Sequence, residues 1–111
     1  QENKDRFTLL NQYHVTLFTR FLNKLKTTPD GDGTLLDHSM VLYGSGMSDG
    51  NSHNHDPLPI LIAGHAACAL QGNRHLRQPQ LTPMSNLLLA VLEKLGCREE
   101  RFGDSTGRLA I

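Results

Sequence analysis

Two histidines and two aspartates lie close together in the segment VLYGSGMSDGNSHNHDPLPILIAG, which covers residues 41–64. Among its glycine, serine and asparagine residues are four side chains that can bind a cation, Asp49, His53, His55 and Asp56. His53 and His55 are two residues apart, so in an extended segment both rings project from the same side and can approach one ion. Two neutral imidazoles and the carboxylate of Asp49 would form part of a zinc, manganese or iron site. The residues therefore predict a metal site with Asp49, His53 and His55 as ligands.

Three ligands do not close such a site. A catalytic zinc ion keeps three rigid protein ligands and an open water position, and a structural zinc ion takes four. Ligands from outside this chain would then have to complete the centre. The alternative is a polar turn, in which Asp49, Ser52 and Asn54 bind nearby backbone groups and both histidines are exposed.

A short basic cluster follows the second apolar run and consists of Arg74, His75 and Arg77. Arginine suits bidentate contact with phosphate, sulfate or carboxylate, so the cluster could bind an anionic small-molecule substrate beside the histidines. The alternative is that these charges are solvated on a surface loop.

Two helices are predicted on either side of this region. From Asp5 to about Lys26, apolar residues recur at three- and four-residue steps, which is typical of an amphipathic helix. His14 lies on that stripe and is expected to be a hydrogen-bonded core residue. The sequence TTPDGDGT then predicts a tight turn. In LTPMSNLLLAVLEKLG, Thr82 is the expected N-cap, Pro83 the first helical residue and Gly96 the stop. The apolar face of this second helix is predicted to consist of Leu87, Leu88, Val91, Leu92 and Leu95.

The runs at 41–43 and 60–63 are continuously apolar, as in strands buried on both faces, and we predict that they are neighbouring parallel strands. Their connection is short for a parallel crossover, which leaves open that a strand from elsewhere separates them. The expected fold class is α/β, with two or three buried, mostly parallel strands and two amphipathic helices. The edges of such a sheet would be apolar and uncovered, so we expect self-association or contact with the rest of a longer parent chain.

Composition restricts the function classes. A length of 111 residues allows one unit, residues 1–111, and one modest core. Lysine plus arginine equals aspartate plus glutamate, 11 each, so the basic excess of a nucleic-acid-binding protein is missing. No apolar run approaches the roughly 20 residues that span a bilayer. Cys68 and Cys97 could be a disulfide or two buried thiols.

The segment LYGSGMSDGNSHNHDPLP, with RHLRQPQLTPMSNLLLAVLEKLG and ERFGDSTG after it, resembles the C-terminal part of an uncharacterised bacterial family named for an HXXSHH motif. That motif does not occur in these residues, because in the family it lies upstream. The resemblance covers nearly the whole chain. It implies that residues 1–111 are the C-terminal portion of a larger α/β domain, and that the protein is secreted or periplasmic.

The order of elements is also distantly similar to the sulfatase and alkaline phosphatase superfamily, through LLDHSM before the first strand and PILIAG in the second. This similarity implies an alkaline-phosphatase-like layered fold and a divalent metal: zinc, manganese, iron or calcium. The superfamily's Asp-His metal pair falls on Gly46 and Met47, which are poor ligands. Its downstream histidine would correspond to His53 or His55.

Two functions follow from the resemblance. The first is part of a sulfatase-like or phosphatase-like metal-dependent hydrolase of sulfate or phosphate esters, inactive as this fragment because its nucleophile and remaining ligands lie upstream. The second is a non-catalytic binding or structural protein that keeps the scaffold without the metal pair. Neither assigns a catalytic residue within residues 1–111.

Overall fold

The structure, a computed structural model, describes residues 2–111. In chain order its elements are α1 (Glu2–Thr27), β1 (Pro29–Asp30), β2 (Gly33–Thr34), α2 (Leu35–His38), β3 (Val41–Gly44), β4 (Ile60–Ala63) and α3 (Met84–Lys94).

Helix α1 confirms the predicted N-terminal helix. Acidic residues lie in its first turn and Lys24 and Lys26 in its last, which suits the helix dipole at both ends. The helix ends where Thr28 Oγ1 donates a hydrogen bond to the carbonyl of Lys24 at 2.7 Å. Pro29 follows, and proline cannot continue the backbone hydrogen-bond pattern of a helix.

The predicted turn is a β-hairpin, in which β1 pairs antiparallel with β2 across Gly31 and Asp32. Gly31 has a positive φ of 58°, a conformation that glycine adopts without steric cost. Thr34 then caps the short helix α2. Its hydroxyl accepts a hydrogen bond from the N–H of Asp37, and its own N–H donates to the Asp37 carboxylate. This capping box fixes α2 directly after the hairpin.

Strands β3 and β4 exist where the sequence predicts strands, but the prediction that they are parallel is wrong. They pair antiparallel, with Val41 opposite Ala63 and Gly44 opposite Ile60. Residues 45–59 connect the two strands as a loop without a helix, which suits an antiparallel pair, whereas a parallel crossover usually runs through a helix. The prediction of burial on both faces is also wrong, because Leu42 and Leu61 are 40% and 48% exposed.

The expected fold class is therefore wrong as well. The described residues form three helices and two separate two-stranded antiparallel sheets, with no parallel strands among them. This is not the layered parallel α/β arrangement that the similarity to alkaline phosphatase implies. Continuous apolarity misled the prediction, since it can also arise in a hairpin whose outer face is left uncovered.

Helix α3 confirms the second predicted helix, although its start differs by one residue. Pro83 is the N-cap, and the hydroxyl of Thr82 instead donates to the carbonyl of Pro79 at 2.7 Å. The predicted stop at Gly96 is confirmed. Gly96 has a φ of 84° and its N–H donates to the carbonyl of Glu93, while the N–H of Cys97 reaches the carbonyl of Leu92. These two bonds form a Schellman motif, which satisfies the last carbonyls of the helix.

The core is small and lies along α3. The buried apolar side chains of the described chain are Leu87, Leu89 and Ala90, and the buried polar ones are Ser85 and Asn86. The predicted apolar face is partly wrong, because Leu89 is 1% exposed and Leu95 is 63% exposed.

The side chain of Asn86 ties the C-terminal segment to α3. Its Oδ1 accepts hydrogen bonds from the N–H groups of Thr106 and Gly107 at 2.8 and 3.3 Å. Its Nδ2 donates to Thr106 Oγ1 at 3.1 Å, and Ser85 Oγ donates to the Asp104 carboxylate. Loops, held by these bonds, therefore cover the buried face of α3.

Helix α1 has no buried residue. It is anchored near its C-terminal end, where the ring of Phe18 stacks on Tyr43 of β3 at a centroid distance of 4.4 Å. His14, expected in the core, is exposed, and its ring lies edge-on to that of Tyr13 at a centroid distance of 6.3 Å. Neither α1 nor any other helix within residues 2–111 is long and apolar enough to cross a membrane.

Candidate functional site

The loop between β3 and β4 contains the predicted metal ligands. Backbone hydrogen bonds continue the hairpin into it: Ser45 N–H donates to the carbonyl of Pro59, and Ser48 N–H to that of Asn54 at 2.8 Å. A further bridge joins Asp49 and Asn54. The loop is therefore an ordered extension of the hairpin that ends in an exposed turn at residues 50–53.

Asp49 stabilises that turn through its side chain. Its Oδ1 accepts hydrogen bonds from the N–H groups of Asn51 and Ser52 at 2.9 and 3.4 Å. The bond from Asn51, followed by those from Ser52, lowers the pKa of the Asp49 carboxyl. Asp49 thus behaves as the polar-turn alternative expects, and one of its two carboxylate oxygens is used for local structure.

The two histidines of the loop lie in different backbone environments. His53 has a φ of 53°, so the segment is not extended at this residue, and the expected same-sided arrangement of the two rings loses its basis. The Nδ1 of His55 lies 2.6 Å from the carbonyl oxygen of Gly46. Because a carbonyl can only accept, Nδ1 is the protonated nitrogen and donates this bond. In the neutral ring, the lone pair of His55 is then on Nε2.

The basic cluster lies on an exposed loop without regular structure. Arg74 Nε donates to the carbonyl of Gln71 at 3.0 Å, so this guanidinium is partly used by its own loop. His75 and Arg77 make no hydrogen bond or ion pair with other residues of the described chain. The structure does not place these three residues and the histidines of residues 53–55 around a shared cavity, so the substrate-binding role stays a prediction.

A second group of acidic residues and histidines, which the sequence analysis did not identify, surrounds α2. Both ring nitrogens of His38 face carboxylates of the β1–β2 hairpin: Nδ1 lies 2.9 Å from Asp30 and Nε2 lies 3.1 Å from Asp32. The hydrogen bond to Asp30 is the largest cause of a raised pKa at His38. When this ring is protonated, both of its nitrogens can donate, and His38 then joins hairpin and helix as a cationic clamp.

Asp37 precedes His38 in the same short helix. The hydroxyl of Thr34 and then its N–H donate to the Asp37 carboxylate and lower its pKa. His65 Nδ1 lies 3.4 Å from Asp37 Oδ1, which is an ion-pair distance when the histidine is protonated. The carboxylate therefore serves the helix cap first and His65 second.

A cleft of about 280 Å³ opens beside this cluster, lined by Asp32, Gly33, Asp37, His38, His65, Ala67 and Cys68. One wall is a turn in which Ala66, Ala67 and Cys68 all have positive φ values. The N–H groups of His65, Ala66 and Ala67 donate to carbonyls at the end of α2, which holds this uncommon conformation in place. Cys68 and Cys97 are free and exposed, so they are neither a disulfide nor buried thiols.

Gly64 positions the wall of the cleft. A Cβ atom built there would lie 2.2 Å from the backbone oxygen of Ser39, and the φ of 99° disfavours any other residue. The signals for the cleft in the sequence are the aspartates of PDGDG and the histidine of LLDHS a few residues later. Their proximity depends on the hairpin turn and the capped helix, which the residue spacing alone does not predict.

Among residues 2–111, no group of three or more histidine, cysteine, aspartate or glutamate side chains is placed to hold a metal ion. The histidine loop therefore offers one oriented imidazole and an ionised carboxylate, and the cleft offers histidines already paired with carboxylates. The chain matches no family profile, no curated protein and no solved structure.

Proposed function

We propose that this chain supplies one part of a metal-dependent hydrolase of sulfate or phosphate esters, whose remaining ligands lie on polypeptide outside residues 1–111. The observation that carries the proposal is the orientation of His55, whose Nδ1–H donates to the Gly46 carbonyl. Histidines that bind metals usually donate their other ring N–H to a carboxylate or a backbone carbonyl. His55 has that arrangement, and its Nε2 would be the atom that binds the metal.

Gly46 stands where the superfamily has a metal-binding side chain, yet it still contributes to the candidate site through its backbone. A glycine cannot ligate a cation through its side chain, but its carbonyl orients the imidazole that could. Asp49 adds a carboxylate, kept ionised by its lowered pKa, in the same loop. The described residues do not complete a coordination shell, so we assign no catalytic residue and expect no hydrolysis by this chain alone.

The basic loop would contribute to the same activity by binding the anionic part of the ester. Arg77 makes no hydrogen bond or ion pair with other described residues, so its guanidinium is available for a bidentate contact with sulfate or phosphate. Secretion or export to the periplasm belongs to this proposal through the family resemblance.

The test is the metal content of the longer parent protein that the resemblance implies, measured by mass spectrometry after dialysis against zinc or manganese. His55→Ala should weaken metal binding by at least about 10-fold to 100-fold, because a ligand bond is lost. His14→Gln, which removes an imidazole on α1, is the matched control and should retain the metal. Equal metal content in the parent protein and in the His53→Ala/His55→Ala variant would refute the proposal.

A second candidate function is a non-catalytic binding or structural protein. It is favoured by Gly46 and Met47 at the positions of the superfamily's metal pair, and by α1, a long helix without a buried residue. The same measurement separates the two candidates, since a binding protein would contain no metal in any of these variants.

A further inference from the structure

We propose that two copies of this chain associate through α1, packed antiparallel along the stripe formed by Phe7, Leu10, His14, Leu17 and Phe21. These residues follow one another at alternating three- and four-residue steps, the spacing that lets two helices pack knobs into holes. The four apolar members of the stripe are 42% to 59% exposed, and His14 is exposed too. We call this set the α1 seam.

The exposed area of the chain is consistent with a missing partner. Its accessible surface is 8548 Å², whereas a folded monomer of 12.3 kDa is expected to expose about 6,100 Å². The excess of about 2,400 Å² is within the roughly 1,000 to 2,500 Å² per subunit that a permanent interface buries. The radius of gyration of 16.0 Å, against about 13 Å for a compact domain of this length, agrees with an extended subunit.

The position of α1 leaves the seam accessible. Only Phe18, Leu22 and Leu25 of this helix are half-buried against the body of the chain, and every other described side chain on it is exposed. A 26-residue helix is about 39 Å long, and its half-buried side chains all lie at or after residue 18. Most of the stability of a helix in a protein comes from packing of its apolar face, and the seam side of α1 is exposed.

A second copy is favoured because the seam is complementary to itself. It is centred on His14, so a two-fold axis there would place Phe7 of one copy against Phe21 of the other and Leu10 near Leu17. Isologous contacts of this kind are the commonest way that identical subunits associate. A polar residue at one central seam position also specifies register, although it weakens packing.

Charge favours the antiparallel arrangement. The first turn of α1 contains Glu2, which also pairs with Arg6 at 2.9 Å within the helix, and the last turn contains Lys24 and Lys26. A parallel pair would place the two lysines beside the same lysines of the second copy, whereas an antiparallel pair brings them toward the acidic turn. Only in the antiparallel pair do the two helix dipoles point in opposite directions, which is the favourable arrangement.

The test is sedimentation equilibrium of the chain over a range of concentrations, with circular dichroism to show that the helices persist. The wild-type chain should be a dimer, and Leu10→Asp should weaken association at least about 100-fold by burying a carboxylate in the seam. Leu9→Asp is the matched control, because Leu9 is 64% exposed on the same turn but lies off the seam. It should change the dissociation constant less than about 3-fold.

Two further variants keep the proposal open to refutation if Leu10→Asp disturbs the helix. His14→Leu should tighten the dimer, since it replaces the polar layer with an apolar one. In a chain with Cys68→Ser and Cys97→Ser, Phe21→Cys should not form a disulfide-linked dimer, because an antiparallel pair separates the two positions. A monomer at all concentrations, or equal effects of Leu9→Asp and Leu10→Asp, would overturn the seam. Efficient cross-linking through Phe21→Cys would overturn its direction.

Discussion

Helices α1 and α3 are both amphipathic by sequence, yet the apolar face of α3 is covered and that of α1 is largely exposed. Helix α3 contains Leu89, which is 1% exposed, whereas no residue of the longer helix α1 is buried. The same periodic signal therefore predicts which face of a helix is apolar but not whether this chain covers it. The two helices differ in whether a neighbouring segment of the chain is held over the apolar face.

The difference has a specific structural cause. Around α3, Asn86 binds three groups of the C-terminal segment, and the N–H of Leu109 donates to the Asn86 carbonyl at 3.3 Å. These bonds satisfy polar backbone groups that would otherwise make a loop a poor cover for a core. Helix α1 is attached near its base, where Phe18 stacks on Tyr43 and where α2 and β2 pack against it.

The largest expected effect is on the free energy of unfolding, and it is found by making the same leucine-to-alanine substitution separately in each helix. Leu89→Ala should lower the free energy of unfolding by about 2–5 kcal/mol, because it leaves a cavity in the small core. Leu10→Ala should change it by less than about 0.5 kcal/mol when measured at dilutions where the chain is monomeric. Urea unfolding followed by circular dichroism gives both values. Similar losses for the two variants would mean that α1 is covered within one chain, contrary to the structure.

A smaller effect is expected from the polar contacts that hold the cover on α3. Asn86→Ala should lower the free energy of unfolding by about 1–3 kcal/mol, since the N–H groups of Thr106 and Gly107 lose their acceptor. Hydrogen exchange should show faster exchange at residues 104–109 and little change in α1. Asn51→Ala, at an exposed loop position, is the control and should leave stability within about 0.5 kcal/mol of wild type. Loss of protection throughout the chain would show that Asn86 supports more than the C-terminal cover.

The sequence was sufficient to predict local structure where local physics decides it. Periodicity, capping or glycine conformation within a few residues decides several features. These are the two long helices, the turn after α1, the stop at Gly96 and the existence of β3 and β4. Strand direction was wrong because apolarity does not encode it. The choice depends on what covers each strand face, and Leu42 and Leu61 remain exposed.

The candidate site was predictable only in its composition. The sequence identifies His53, His55 and Asp49 as side chains able to bind a cation, and that role stays a prediction. It could not show that His53 has a positive φ or that His55 donates to Gly46, since both depend on how the hairpin closes. It also missed the His38 cluster, because that cluster requires the β1–β2 turn and the Thr34 cap to form first.

The smallest effect concerns the base of α1, where α2 and β2 pack against it. His38 is surrounded by Asp30 and Asp32 from the hairpin, Asp37 from its own helix and His65 through that carboxylate. Its pKa in the folded chain is raised, with the Asp30 hydrogen bond as the main cause. The folded chain thus binds a proton more tightly than the unfolded chain, and this stabilisation is fully present below about pH 6.5, the ordinary histidine value.

As the pH rises through the raised value, His38 loses its proton and one ring nitrogen can no longer donate to a carboxylate. The wild-type chain should therefore show a lower melting temperature and faster hydrogen exchange at residues 28–38 when moved from about pH 6 to about pH 8. The lowered pKa of Asp37 acts in the acidic range and does not contribute to this window. His38→Gln should remove the change and His75→Gln should retain it, because His75 has no partner among the described residues. If His38→Gln and wild type lose stability equally over this range, the clamp does not fasten the base of α1, and the stacking of Phe18 on Tyr43 is left as its main attachment.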